Sequence, residues 1–443
     1  MAMERPFSKD NRTLLTIVAE GFLTRLSFGI VGFGLPLYAH RLGVTVADIG
    51  LLMSLNVAVA MTLKPAMGWL ADRVGLKKGY VAALAVRSIV PLLLAFAALP
   101  WQLYAARALD GAADALRHPA ANGLIAEHSA KKAVATAYAW YSTARSAASA
   151  LGKALTGVIL TLTASNYLWV FGLACAASIL PALAVARFMP NAPLAPPPAP
   201  DAAGSDHQSD GVGAPKGNIK IVPAMAFGFL VSGTADMLRG LLPVLAVEYA
   251  GLSEAETGLL YLTSTIVVLS AGPLFGWVSD NVSRRLVLTV RSIANTCSSA
   301  IFLFSPTLAG FLLGKALDDA GKAAFRPAWG SLMAQISARD RQNRARMMGL
   351  MSVSEDAGSV TGPILAGLLW NAWGVGALLG ARIGIAVLVE LYALLWFHGG
   401  TVAEQAGGEA VRSGAFSSTS PPATPTAQTV SKSPARAGGP YPT

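Results

Sequence analysis

Residues 107–118 place five ionisable side chains inside a long apolar stretch, in the sequence RALDGAADALRH. At 100° per residue, these five side chains lie within an arc of about 100° on one helix face. They are Arg107, Asp110, Asp114, Arg117 and His118. A carboxylate beside a guanidinium can take up a proton when a ligand competes for the guanidinium, because the neighbouring charge sets its pKa. An imidazole titrates near neutral pH. The pattern predicts a helix face for proton transfer or for binding a charged solute.

The same pattern returns about 208 residues later, in the sequence KALDDAGKAAFR at 315–326. Its charged residues again share one helix face. They are Lys315, Asp318, Asp319, Lys322 and Arg326. The alternative for both stripes is pairing along the helix between opposite charges three or four residues apart: Arg107–Asp110, Asp114–Arg117, Asp114–His118, Lys315–Asp319 and Asp318–Lys322. Further matches follow in the same order at a similar offset, such as LPLYA with LPVLA and GWLADRVG with GWVSDNVS. A collinear series of this kind indicates two copies of one ancestral unit.

The composition indicates that both copies lie in a membrane. Of 443 residues, 53% are hydrophobic and 13% are charged, against about 25% charged in soluble domains. The mean hydropathy is +0.51. A bilayer-spanning helix needs about 20 mostly apolar residues, and we count twelve such runs. They lie at about 14–39, 49–70, 79–99, 102–126, 134–162, 167–188, 221–247, 256–278, 285–304, 308–335, 346–370 and 373–397.

The predicted fold is all-α and integral to the membrane, with twelve transmembrane helices in two pseudo-symmetric six-helix bundles. Residues 1–189 form the first bundle and 219–398 the second, joined by a cytoplasmic linker at 190–218 that is rich in proline and alanine. Residues 399–443 are predicted to be a disordered cytoplasmic tail. Lysine and arginine cluster in alternate loops, which predicts that both termini are cytoplasmic.

Three motifs resemble those of the major facilitator superfamily. The sequence GWLADRVGLKK at 68–78 is similar to the signature loop between spans 2 and 3 of that family. Arg107 followed by Gly111 is similar to the span 4 arginine motif of its proton-coupled members. The sequence GSVTGPILAG in span 11 looks like the glycine–proline motif of drug–proton antiporters, which in that group belongs to span 5. Here span 5 has Lys153 at the proline position, which disfavours a drug exporter.

The signature loop predicts a latch between the two bundles. Asp72 at the inner end of span 2 needs a cation, and Arg344 or Arg346 at the start of span 11 could supply it. The resemblance implies that Glu127 completes this relay. The alternative is a solvated turn that serves only to orient the chain in the membrane. The candidate latch residues are Gly68, Asp72, Arg73, Gly75, Lys77, Glu127, Asp280, Arg284, Arg344 and Arg346.

Other ionisable residues also lie within spans, where an unpaired charge costs roughly 3 kcal/mol or more. Arg145 in span 5 and Glu355 in span 11 occupy equivalent places, which predicts either a contact between the bundles or independent roles in the cavity. Arg87 and Arg291 are interpreted as snorkelling or packing residues near the inner face. The remaining candidates for the substrate and ion pathway are Arg25, Asp236, Arg239 and Asp356.

The resulting functional prediction is a secondary transporter that moves a small polar or charged solute by alternating access and proton coupling. Alternatives are a permease for iron or another hard metal cation, as in magnetosome membranes, a drug or metabolite–proton antiporter, and a transporter-like sensor without flux. No set of catalytic residues indicates an enzyme, and no cofactor or resident metal is expected. The expected partners are the solute and the lipid bilayer, without nucleic acid, for a monomer in a bacterial-type inner membrane or, alternatively, an intracellular one.

Overall fold

A computed structural model describes residues 11–74, 76–128, 134–188, 221–281, 284–338 and 344–415. Within these ranges the chain is helical with short connections. Six long helices form the first half of the chain. They are α1 (Asn11–Arg41), α2 (Val46–Val74), α3 (Leu76–Ala95), α4 (Pro100–His128), α5 (Val134–Leu162) and α6 (Tyr167–Phe188).

Six more helices form the second half. The first is α7 (Ile221–Asp236), followed by α8 (Glu254–Asn281), α9 (Arg284–Phe304) and α10 (Leu308–Ala338). The helical stretch Arg344–Ala415 is interrupted at Gly374, where φ is 80° and ψ is −178°. We name its two parts α11 (344–373) and α12 (375–415). The all-α fold with twelve helices is therefore confirmed.

Span 7 departs from the continuous helix expected over 221–247. Helix α7 ends at Asp236, and the chain then passes through a turn at Gly240 with φ of +74°. It resumes as a short helix, Leu242–Val244, and a π-helical turn, Leu245–Tyr249. A left-handed backbone is allowed at glycine without a steric penalty. The apolar pattern carried no sign of this break, because the residues on both sides of it are buried.

Five stretches in the described part of the chain are long and apolar enough to cross a bilayer with no more than two charges in the window. They are Val18–Arg41, Val46–Met67, Lys78–Ala95, Tyr167–Arg187 and Met347–Ala393, the last of which contains most of α11 and the first part of α12. Residues up to Leu394 form one compact unit. The second unit, Leu395–Thr443, is described as helix as far as Ala415.

The internal repeat is visible in the turns before α2 and α8. Gly43 and Gly251 have φ of 78° and 65° at equivalent positions. The hydroxyl of Ser253 accepts from the Glu256 N–H at 3.2 Å, and the Glu256 carboxylate accepts from the Ser253 N–H at 2.8 Å. Thr45 caps α2 by accepting from the Asp48 N–H at 3.2 Å.

Two glycines of α5 and two of α11 permit close helix contacts, again at equivalent positions. A Cβ on Gly152 would overlap the backbone of α1, and a Cβ on Gly362 would overlap the backbone of α7, so each glycine packs within its own half. A Cβ on Gly157 would overlap α8, and a Cβ on Gly367 would overlap α2, so each of these packs against the other half. Small residues let helix backbones approach closely in membranes.

We expect Gly157→Val to disturb the contact between α5 and α8, since a side chain there would collide with the backbone at Glu254 and Gly258. The matched control is Gly172→Val in α6, where an added Cβ meets nothing within 4 Å. Overpacking costs about 1–3 kcal/mol, so the first variant should melt at a lower temperature. Thermal unfolding in detergent checks this, and equal melting temperatures for the two variants would contradict it.

Candidate functional site

A polar cavity of about 340 Å³ lies between the first and second halves of the chain. It is bordered by α1, α2, α4, α5, the break after α7, and α11. Its charged lining comprises six cationic side chains and two carboxylates, with serine, asparagine and apolar residues between them. The charged residues are Arg25, Lys64, Arg107, Arg145, Lys153, Arg239, Asp114 and Asp356. Such a volume suits a small ligand, because ligand pockets span about 300–1,000 Å³.

Helix α4 contributes a buried charge cluster at one wall of the cavity. Asp110 accepts from Arg107 at 2.8 Å, which confirms the pairing expected from their spacing. Arg87 of α3 lies 3.6 Å from Asp110 and also donates to Asp114. The amide of Asn56 in α2 donates to Asp110 at 3.2 Å and to Asp114 at 3.5 Å. The two carboxylates are therefore oriented by three helices, and only Asp114 of the two lines the cavity.

The other charged residue described in this stretch, Arg117, belongs to a separate buried cluster. It is 1% exposed and donates to Glu20 of α1 from Nε and Nη2, at 3.2 and 3.0 Å. Glu20 also accepts from Thr24 at 2.8 Å and from Tyr80. Arg117 is not among the cavity residues in the described structure. It holds α4 against α1, so the single charged stripe read from the sequence divides into two sites.

The equivalent cluster on α10 is centred on Asp318. This carboxylate accepts from Arg382 of α12 at 2.7 Å, from Arg291 of α9 at 3.2 Å and from Lys322 at 2.7 Å. Asp319 accepts from Lys315. The two lysine pairings confirm those expected from the helical spacing. These residues do not line the central cavity in the parts of the chain that are described.

Arg87 and Arg291 are interpreted from the sequence as snorkelling or packing residues, and their burial shows that snorkelling is wrong. Their exposures are 5% and 2%, and each binds a carboxylate of the following helix. A buried charge needs a partner, because desolvation without one costs several kcal/mol. The sequence placed both arginines correctly at equivalent positions of spans 3 and 9, but the acids that bind them lie on other helices.

Within the described residues, an ion pair joins the two halves inside the cavity. Lys64 of α2 donates to Asp356 of α11, and both side chains line the cavity. At the break after α7, Arg239 lies 3.1 Å from Asp236 and also reaches the cavity. The pair of Lys64 with Asp356 must change whenever α2 and α11 separate, so it is placed to respond to the conformational state.

We expect the exchange of these two charges to restore part of the activity that each single change removes. Lys64→Asp and Asp356→Lys each place two like charges together, and each should lower transport about tenfold or more. The double variant pairs opposite charges again across the same helices, so it should transport faster than either single variant. Initial uptake rates in proteoliposomes measure this. A double variant that is slower than both single variants would show that the pair itself is not required.

Two cations of the cavity are held by aromatic rings. The Arg25 guanidinium lies 4.2 Å from the centre of the Phe28 ring, and the Lys153 ammonium lies 4.3 Å from that of Tyr261. In the described structure, neither has a carboxylate within 4 Å. Arg145 lines the same cavity. Glu355 of span 11 is the equivalent of Arg145, and it accepts from the indole of Trp329. It is the next residue, Asp356, that lines the cavity.

Contacts between the two halves lie toward the predicted outer side. His40 lies 3.1 Å from Glu248, and Ser165 donates to Glu254 at 3.0 Å. The close approaches at Gly157 and Gly367 lie at the same end. Deeper in the bundle, Phe33 and Tyr261 meet edge to face at 5.8 Å between ring centres.

Most of the predicted latch lies outside the described residues or side chains. Arg73 is exposed, with its guanidinium 4.1 Å from the centre of the Trp69 ring. Gly75 lies outside the described residues. The structure also gives no description of the side chains at the other latch positions, or at two positions of the charged stripes. These are Gly68, Asp72, Lys77, Glu127, Asp280, Arg284, Arg344 and Arg346 for the latch, and His118 and Arg326 for the stripes.

Sequence reasoning missed Lys64 and Asn56 as residues of the cavity, and it missed Glu20 as the partner of Arg117. Lys64 carried a usable signal, since a lysine within a span is costly and marks a functional site. Asn56 also lies within the apolar run of span 2. Glu20 and Arg117 form an ion pair although they are 97 residues apart in sequence. Neither local spacing nor the internal repeat indicates this pair.

Comparisons with known proteins identify the family. The model of the Major Facilitator Superfamily matches residues 20–225 and 224–435. A candidate multidrug resistance protein, MdtD, of Salmonella typhi is 28% identical over 186 residues, which are 42% of this chain and 39% of that protein. MdtD of Escherichia coli O17:K52:H18 is 27% identical over 183 residues, 41% of this chain and 38% of that protein. The chain thus spans about two fifths of the length of these curated relatives.

Solved transporters share the fold at low sequence identity. The nucleoside transporter NupG gives a TM-score of 0.66 at 15% identity, over 87% of this chain and 98% of that one. A bacterial homologue of the human lysosomal transporter Spinster, inward-facing and occupied, gives 0.69 at 15%, over 90% and 98%. PepTSo2 gives 0.70 at 12%, over 88% and 98%. This chain is a multi-pass membrane protein, and it belongs to the Major Facilitator Superfamily.

Proposed function

We propose that the protein moves a small polar or charged solute through the central cavity by alternating access, coupled to protons. The observation that carries this proposal is the cavity itself. It lies between the two halves of the chain, and its walls present arginine, lysine, aspartate, serine and asparagine to one small volume. Charged side chains at membrane depth are costly, and their gathering around a cavity supports a role in binding solute.

The contacts between the halves support a two-state mechanism. On the predicted outer side, glycine contacts and the pair of His40 with Glu248 hold the halves together. The opening of that side requires these contacts to separate while the helices within each half stay packed. Gly152 and Gly362 support such rigid halves, since each packs against its own half. Rocking of one repeat against the other around a fixed site is the usual form of alternating access.

Asp114 is proposed as the proton-coupling carboxyl. It lines the cavity and is held by Arg87 and Asn56. A solute that binds near the guanidinium groups weakens their interaction with Asp114, which then takes a proton from the cavity. Asp110 is bonded to the same arginine and asparagine but does not reach the cavity in the described structure, so it is proposed to orient the cluster.

Uptake into proteoliposomes tests the proposal. The purified full-length chain is reconstituted, and uptake of candidate solutes is measured with and without an imposed pH gradient. Solute-dependent uptake that collapses when a protonophore is added is the expected result. Uptake that is indifferent to the gradient would refute proton coupling, and specific ligand binding without flux would favour the transporter-like sensor.

The multidrug relatives support a second candidate, an antiporter of drugs or metabolites. Against a drug substrate stands the cavity lining, which contains one aromatic residue, Phe28, within the described structure. A permease for hard metal cations is less well supported, because the acids of both clusters are bound by arginine or lysine. Competition between the substrate found above and a panel of lipophilic cations separates these candidates.

The finer topology is also proposed. The distribution of lysine and arginine among the loops supports cytoplasmic termini. The membrane is proposed to be a bacterial-type inner membrane, and the protein a monomer. An intracellular membrane of the magnetosome type is the alternative. Cleavage of the linker at 190–218 by a protease added to one side of sealed vesicles distinguishes the two orientations.

A further inference from the structure

We infer that the central cavity selects an anionic solute, a small organic molecule bearing a carboxylate or phosphoryl group. This inference rests on the proposed function, because it names the class of substrate for the same cavity. Its starting point is the imbalance of charge in the lining, where six cationic side chains face two carboxylates.

Pairing removes some of this imbalance but not all of it. Lys64 binds Asp356, Arg107 binds Asp110 and Arg239 binds Asp236. Asp114 binds Arg87, which lies behind the lining. Of the three other cations, Arg145 has an interaction of its own. Arg25 and Lys153 each have an aromatic ring as a neighbour, with no carboxylate within 4 Å in the part of the chain described.

An aromatic ring stabilises a cation without neutralising it. Interaction with a ring face contributes about 0.5–2 kcal/mol but leaves the positive charge available to a ligand. The guanidinium groups of Arg25 and Arg107 suit planar, bidentate recognition of a carboxylate or phosphate. The ammonium of Lys153 on α5 supplies a point charge to the same cavity. A cationic solute would meet repulsion from both.

The two halves of the chain contribute unequally to the positive charge of the cavity. Arg25, Arg107 and Lys153 come from α1, α4 and α5, while the second half supplies Arg239 and Asp356. The anionic group is therefore expected to bind on the side of the first half. The volume of about 340 Å³ limits the solute to a small molecule. A bound anion also competes with Asp356 for Lys64, which links occupancy to the contact between α2 and α11.

The charge preference of the cavity can be measured before the substrate is identified. Cys175→Ala and Cys297→Ala remove both native cysteines. Ser149→Cys on α5 or Ser359→Cys on α11 then places one thiol in the cavity lining. Modification rates are compared for an anionic and a cationic reagent of similar size, the sulfonatoethyl and trimethylammonioethyl methanethiosulfonates. Each rate is divided by the rate of the same reagent with a free thiol in solution, because a thiolate reacts intrinsically faster with the cationic reagent. Fields of one sign in a cleft raise local ion concentrations about tenfold or more, so the normalised rate of the anionic reagent should be at least about tenfold higher.

Neutralising variants show whether the named cations cause the preference. Arg25→Gln and Lys153→Gln should each reduce the ratio of the two rates severalfold, and more in combination. The matched control is Lys78→Gln, which removes one exposed cation outside the cavity. It should leave the ratio unchanged. Faster reaction of the cationic reagent, or no reaction at either cysteine, would overturn the inference, because an anionic solute must reach both positions.

Protection experiments distinguish the two anionic groups. Slower modification with succinate but not with glycerol phosphate assigns the site to carboxylates, and the reverse assigns it to phosphoryl groups. Equal or stronger protection by succinamide or diaminobutane, the neutral and cationic analogues of succinate, contradicts the inference.

The preference for one reagent over the other can be measured whether or not the protein transports a solute. A cavity that prefers anions in a protein without uptake would refute the proposed transport and leave the inference standing, whereas uptake of a cation would do the opposite.

Discussion

Asp318→Asn is expected to be the most destabilising single substitution in the second half of the chain. Its carboxylate accepts from Arg382, Arg291 and Lys322, and it is 3% exposed. Asparagine retains the shape of the side chain but leaves three cations facing a neutral amide. The removal of one partner from a buried ion pair costs about 3–5 kcal/mol. We expect a strongly reduced yield of monodisperse protein and a lower melting temperature, measured by fluorescence-detected size exclusion after heating.

Two further variants make this prediction specific. Asp319→Asn removes a carboxylate of similar burial that binds one described partner, Lys315, so it should cost clearly less. The double variant Asp318→Asn with Arg382→Met removes a cation together with the carboxylate. It should recover part of the lost stability, because an apolar side chain replaces an uncompensated charge. If Asp318→Asn melts at the same temperature as Asp319→Asn, the central role of Asp318 is wrong.

The fold could be predicted almost completely from the sequence, because the bilayer constrains helix length and the repeat fixes helix number. All twelve runs correspond to helices, and the end of span 11 expected near residue 370 lies close to the break at Gly374. The interruption after Asp236 could not be foreseen. It depends on the backbone conformation of Gly240 and on its close approach to Met53 of α2, a contact between residues far apart in sequence.

The candidate site was only partly predictable, for a physical reason. Helical spacing indicates pairs three or four residues apart, and it gave Arg107 with Asp110 and Asp318 with Lys322. It cannot show which neighbouring helix supplies a competing partner. Lys64 with Asp356 joins residues 292 apart, and Arg382 with Asp318 joins residues 64 apart. Side chains on one predicted stripe, such as Asp114 and Arg117, consequently belong to different sites.

This division of the α4 stripe sharpens the functional question. Asp110, Asp114 and Arg107 lie in one cluster, whereas Arg117 binds Glu20 and holds α4 against α1. Within the described structure, Arg107 and Asp114 are the charged residues of α4 that reach the cavity. The effects of substitutions should follow the same division, with altered coupling at Asp114 and altered stability at Arg117.

Asp114→Asn is accordingly expected to have the largest effect on coupling. The amide cannot take up and release a proton, but it can still bond to Arg87 and Asn56, so the cluster should remain folded. Exchange of labelled solute across the membrane at equal pH needs no net proton movement and should persist at a comparable rate. Accumulation driven by a pH gradient needs the carboxyl and should fall by about two orders of magnitude, since proton transfer by a positioned group contributes about 10²–10⁴-fold.

Asp48→Asn is the matched control for this experiment, since it removes an exposed carboxylate at the start of α2, away from the cavity. Both variants are reconstituted at equal protein density, and exchange and gradient-driven uptake are measured on the same vesicles. Retained exchange with lost accumulation in Asp114→Asn assigns the coupling proton to this carboxyl. If accumulation survives, the proton must be carried elsewhere. If exchange is lost as well, Asp114 must act in solute binding itself, through the same cavity wall as Arg107.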